Sequence, residues 1–142
     1  LYNTHKSFDI FLKRLDLARY TQKQIDKYNR QKYISLLEKI AKNLFKMFRD
    51  KDISHEQFLV KFQSAASKLS DYDTVLLDGE YYHKLKEYIE TLFSRLRADN
   101  FDASTFEEMR EVELTNLNRL QKLKNQNSYK KDKHKAQYND YD

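Results

Sequence analysis

The chain of 142 residues contains one glycine, Gly79, and no proline. Average usage in a chain of this length would supply roughly ten and seven. Tight β-hairpins need Gly, Asn or Asp at positive φ, so a sandwich or barrel of many strands is not expected. One glycine also excludes a glycine-rich phosphate loop. The absence of cysteine removes disulfide frameworks, thiolate nucleophiles and thiolate zinc sites. Helix is the remaining way to organise the chain.

The apolar residues recur at helical spacing. Phe8, Phe11, Leu12 and Leu15 mark one face at i, i+3, i+4 and i+7. Tyr33, Leu37, Ile40, Ala41, Leu44 and Phe48 mark a second, and Phe58, Leu59, Phe62, Ala65, Ala66 and Leu69 a third. Tyr81, Leu85, Tyr88, Ile89, Leu92 and Leu96 form the fourth. The fifth is less regular: Phe106, Met109, Leu117, Leu120 and Leu123, with Val112 and Leu114 widening the stripe. The expected fold is an all-α antiparallel bundle of four to five amphipathic helices. A single domain is expected over 1–124, with 125–142 a polar, basic tail or a helix extension.

Capping chemistry sets the boundaries. Ser54 with Gln57 makes a capping box, and Ile53 with Phe58 has the spacing of a hydrophobic staple. Ser104 with Glu107 makes a second box, with Glu108, Glu111 and Glu113 crowding the early turns. Thr21 and Gln24 fit a weaker box. It favours a break there over one helix from about Ser7 to Arg49, although the two apolar stripes are in phase. Asp71 to Glu80 reads as the longest connection, and Asp99 to Ala103 as a short one.

The net charge of +5 is unevenly spread: +8 over residues 1–49, −4 over 50–124 and +1 over 125–142. Either the acidic part complements the basic part inside one fold, or the basic part faces an anionic partner. The densest basic patch is Arg19, Lys23, Lys27 and Arg30, within about 80° on a helix, interleaved with Tyr20, Tyr28 and Tyr33. Cations that neutralise phosphates beside tyrosines that stack on bases are the physics of single-strand and RNA binding. The competing reading is a solvated face whose tyrosine bodies pack on the bundle. No named nucleic-acid motif is present.

Catalytic and metal patterns are sparse. Arg49, Asp50 and His55 have a spacing that resembles the Arg and His pair of HEPN-type ribonucleases, which are helical bundles. That resemblance implies an Arg49 and His55 pair acting on a scissile phosphate. Eight arginines and four histidines give about 0.7 such matches by chance. Glu80 with His83, and Asp52 with His55, echo the Glu-x-x-His pairs of di-iron bundles. Both stand at expected helix starts, where carboxylates belong for dipole reasons. No catalytic residue, metal site, cofactor or small-molecule substrate is therefore expected.

No apolar run approaches the length of a membrane span, and the stretch between the first two stripes is too polar to insert. Leu1 in place of Met points to residues upstream, and the compartment stays open. The expected function is a non-catalytic helical binding module: an adaptor, regulator or accessory subunit whose partner is another protein. Nucleic-acid binding through the basic patch is the alternative, and a HEPN-like ribonuclease a lesser one.

Overall fold

The computed structural model describes residues 20–98 and 100–139, and their side chains except at Ala98 and 127–139. The chain forms α1 (Gln22–Arg49), α2 (His55–Ser67), α3 (Glu80–Ala98) and α4 (Ala103–Asn139), with a 3-10 turn over Lys68–Tyr72. No strand occurs among the described residues. The fold is an all-α bundle of four helices, as the apolar spacing predicts. The expected first segment around Phe8, Phe11, Leu12 and Leu15 lies outside the described residues.

Thr21 is the N-cap of α1, extended at φ −75° and ψ 159°. Its hydroxyl accepts from the Gln24 N–H at 3.2 Å, and the Gln24 side chain accepts from the Thr21 N–H at 2.9 Å. Extended backbone at Thr21 breaks the helix there and excludes one continuous rod through that position. Ser54 and Gln57 form the same reciprocal box at the start of α2, with Ile53 and Phe58 both buried.

The start of α4 differs from expectation. Its cap is Asp102, not Ser104: the carboxylate accepts from the Thr105 N–H at 2.8 Å and from the Thr105 hydroxyl at 2.9 Å. The Phe106 N–H donates to the Asp102 carbonyl at 3.0 Å. Asp and Ser are near-equal caps; here Thr105 gives Asp102 two donors, while Glu107 turns to Arg110. Gly79, at φ +94°, precedes α3 in a conformation that a Cβ would strain. Asp78 beside it is tied to Arg30 of α1 at 3.2 Å.

The core is aromatic at one end and aliphatic along its length. Phe58 packs on Phe106 at 4.8 Å and on Phe48 at 5.1 Å between ring centroids, joining α1, α2 and α4. Leu37, Ile40, Leu44, Leu85, Ile89 and Leu117 continue it. Each such side chain contributes about 1.5–3 kcal/mol when fully buried. Val112 does not widen the stripe on α4: it is 57% exposed. Arg110 and Glu113 stand on the inner face instead. The pairs Arg110 with Phe48 and Lys124 with Glu38 run α4 antiparallel to α1. The helix then continues through 125–139.

Candidate functional site

The expected basic patch lies at the start of α1. Lys23 and Lys27 are exposed, and Tyr20 is partly exposed beside the Thr21 cap. Arg30 is not free, because Asp78 of the loop before α3 holds its guanidinium. Tyr28 is half-buried, with the Lys32 ammonium 5.5 Å from its ring centroid. Tyr33 is wholly buried and stacks on Tyr72 at 5.2 Å, so its ring belongs to the core. Arg19 lies outside the described residues. Of the six candidate residues, Lys23, Lys27 and Tyr20 present accessible groups, while Arg30 and Tyr28 are held within the fold.

A second basic face stands further along α1. Lys39, Lys42, Lys46 and Arg49 recur at i, i+3, i+7 and i+10, and all four are exposed. At 100° per residue this face is rotated about 110° from the Lys23, Lys27 and Arg30 stripe. The Arg49 guanidinium lies 5.1 Å from the Phe45 ring centroid, and no ion pair reaches any of the four among the described residues. The acids of α1 do not neutralise them. Glu38 accepts from the Tyr82 hydroxyl at 2.8 Å and from the Lys124 ammonium at 3.4 Å. Asp26 accepts from Gln22. Burial, then the bond to Glu38, pushes the Tyr82 phenol up to about 12.

Two grooves flank this face. One, of about 580 Å³, runs between α1 and α2. Ile40, Met47, Ile53, Val60, Phe62 and Ala65 supply its apolar lining, and Lys39, Lys46, Lys61 and Lys68 also line it. The other, of about 530 Å³, lies between α1 and α4 and includes Lys42, Phe45, Lys46, Arg49 and Lys124. Lys46 borders both.

The catalytic and metal patterns meet ordinary packing. Arg49 lies over Phe45, and the His55 ring meets the edge of Phe101 at 5.9 Å. His83 follows Gly79 into the first turn of α3. No group of three or more potential metal ligands gathers among the described residues.

Sequence reading missed the two buried charges. Arg110 donates to the carbonyls of Met47, Phe48, Asp50 and Ile53, and pairs with Glu107. Glu113 is hydrogen-bonded by the Tyr88 hydroxyl and lies 3.7 Å from Arg95. Burial first, then this bond, drives the Tyr88 phenol well above its ordinary value. The available signal was phase: Phe106, Met109, Arg110, Glu113 and Leu117 share one helical face, so two charges sit among core positions.

No family model, curated protein or solved structure matches the chain. Fold and surface define a small all-helical domain. None of its described helices is long and apolar enough to cross a membrane.

Proposed function

We propose that this chain is a non-catalytic docking module, an adaptor or accessory subunit, that binds an anionic surface of another protein through the basic side of α1. One observation carries the reading. Among the described residues a single ion pair, Arg30 with Asp78, joins a cation of α1 to an acid of a later segment. Four acids of α3 and α4 are paired with cations of those same two helices, none with α1: Glu80 with Lys84, Glu90 with Lys86, Glu107 with Arg110 and Glu113 with Arg95. The basic excess of α1 is therefore turned outward, where it attracts negative charge.

A protein partner is favoured over nucleic acid by the surroundings of these cations. Phe45 is covered by Arg49, and Phe62 is buried. Neither offers the free ring face that stacks on a base. The test is a fluorescence-anisotropy titration with labelled poly-glutamate and with single-stranded and duplex DNA and RNA. Poly-glutamate is expected to bind at low salt, and the Lys39→Glu/Lys42→Glu/Lys46→Glu variant to lose it. Tighter binding of nucleic acid, with the salt slope of about −0.9 per phosphate contact removed by Lys23→Glu/Lys27→Glu, would favour the other partner. Binding of neither would sink the reading.

A further inference from the structure

We infer that the groove between α1 and α2 receives an amphipathic helix of the partner protein, with acidic residues along both of its flanks. The inference rests on the reading of α1 as a docking face and specifies what lies on it. Its basis is a match of spacings. Lys39 and Lys46 stand seven residues apart on α1, and Lys61 and Lys68 stand seven apart along α2 and the turn that follows it. Each interval is about 10.5 Å at helical rise. The groove thus carries two lysines from each side.

Between the lysines the floor is made by the core side chains Ile40, Met47 and Phe62, with Val60 and Ala65 the more accessible apolar groups and Asn43 and Ser64 beside them. Ile40 and Met47 repeat at the same seven-residue interval on α1, with Asn43 between them, and Val60, Phe62 and Ala65 answer from α2. Val60 is 67% exposed although it lines this floor. An apolar seam with one sign of charge on both flanks is the complement of a helix whose seam is apolar and whose flanks are acidic. The groove's one acid, Asp50, accepts from the Asp52 N–H at 2.9 Å, and a single carboxylate leaves the four lysines in excess. Lys39, Lys46, Lys61 and Lys68 have no acidic partner among the described residues. A nucleic-acid strand would leave the floor unused, since no exposed aromatic ring lines it.

The probe is a labelled model peptide of Leu, Ala and Glu, with leucines at i, i+3, i+4 and i+7 and glutamates flanking them. One control has the same composition with the leucines scattered; others are poly-glutamate and single-stranded RNA. The amphipathic peptide is expected to bind at least tenfold more tightly than the scattered one, and to gain helical circular dichroism on binding. Lys61→Glu/Lys68→Glu is expected to weaken it at least tenfold. Ser64→Tyr, an exposed position lining the groove, fills the space without changing charge. It is expected to remove the advantage of the amphipathic peptide and leave poly-glutamate unaffected.

Equal binding of both peptides, with poly-glutamate still bound, would overturn the groove inference alone and leave α1 as a charge-only surface. Insensitivity of the amphipathic peptide to Ser64→Tyr would do the same. Preference for RNA over every peptide, or binding of no probe, would overturn the inference and the docking reading together. Thermal melts of each variant confirm that the fold is intact before its binding is compared.

Discussion

The Arg110 guanidinium donates to the main-chain carbonyl of Asp50 at 2.7 Å, so a side chain of α4 closes the C-terminal end of α1. The last turn of a helix leaves carbonyls without intrahelical partners. Arg110 also reaches Met47, Phe48 and Ile53, lies 4.3 Å from the Phe106 ring centroid and is fixed by Glu107. Removing a buried, multiply bonded cation costs about 3 kcal/mol. Arg110→Ala is expected to lose that much in urea unfolding. Arg110→Lys recovers only part, because an ammonium cannot fork to several carbonyls. A loss below about 0.5 kcal/mol, the range of a neutral surface change, would show that the clasp adds no stability.

Glu113 is the second buried charge, and its hydrogen bond from Tyr88 is the contact to test. Tyr88→Phe leaves the carboxylate with Arg95 and Asn116 alone. The cost of an under-satisfied buried acceptor is about 1–3 kcal/mol. Glu113→Gln is expected to be milder, since the amide oxygen still accepts from Tyr88. Chemical denaturation of the two variants side by side decides this, and a larger loss in Glu113→Gln would contradict it.

The helix faces were legible in the sequence because apolar period is a local property: Tyr33 to Phe48, Phe58 to Leu69 and Tyr81 to Leu96 turn the predicted sides inward. Two capping boxes were legible for the same reason. Arg110 and Glu113 were not, because the groups that satisfy them lie about sixty and about twenty-five residues away, and composition alone assigns such charges to solvent. The binding patch was half legible. Lys23 and Lys27 are exposed as expected, but the Asp78 that holds Arg30 could not be placed without the loop before α3. The free face at Lys39, Lys42, Lys46 and Arg49 is visible in sequence as i, i+3 and i+4 spacing. That its charge goes unneutralised depends on Glu38 bonding to α3 and α4.

The start of α4 separates two candidate caps. Asp102→Ala is expected to lower the melting temperature, and Ser104→Ala to leave it within error. The Thr105 donors, backbone first, hold the Asp102 carboxyl below the usual carboxylate range. A depressed folded value adds stability above the unfolded pKa of about 3.9 and loses it as pH falls through the folded one. Asp102→Asn keeps a capping oxygen and is expected to flatten that acid limb. An effect at Ser104 and none at Asp102 would reverse the assignment.

Tyr33 is buried, and its hydroxyl finds no hydrogen-bond partner among the described residues. Tyr33→Phe removes an unsatisfied group while keeping the ring on Tyr72, so stability is expected to hold or rise by about 1 kcal/mol. Burial, before the nearby Glu90 and Asp73, pushes the Tyr33 phenol up to about 12. The folded chain therefore keeps a proton that the unfolded chain releases near pH 10, and stability falls as pH rises above that value. The stability-versus-pH curve of Tyr33→Phe should be shallower above pH 10. A parallel curve would show that this phenol adds nothing to alkaline unfolding.

Salt dependence reads the unneutralised face directly. Lys39, Lys42, Lys46 and Arg49 make three adjacent like-charge pairs at i, i+3 and i+4 spacing, each costing about 0.2–0.5 kcal/mol. Of the ion pairs that cross between segments, Arg30 with Asp78 and Lys124 with Glu38 are partly exposed and contribute little, while Arg95 with the buried Glu113 is screened less by salt. The opposite-charge pairs within helices, such as Lys84 with Glu80 and Lys86 with Glu90, offset part of the repulsion, but the net charge of +5 leaves repulsion in excess for salt to screen. Between about 0.01 and 1 M NaCl the Debye length falls from about 30 to about 3 Å, and the melting temperature is expected to rise by a few degrees. Lys42→Gln/Lys46→Gln should start higher and rise less, because it removes the repulsion that salt would otherwise screen. A melting temperature that falls with NaCl would mean the crossing ion pairs outweigh the cationic face. The basic side of α1 would then be part of the fold's own electrostatics rather than a surface held open for a partner.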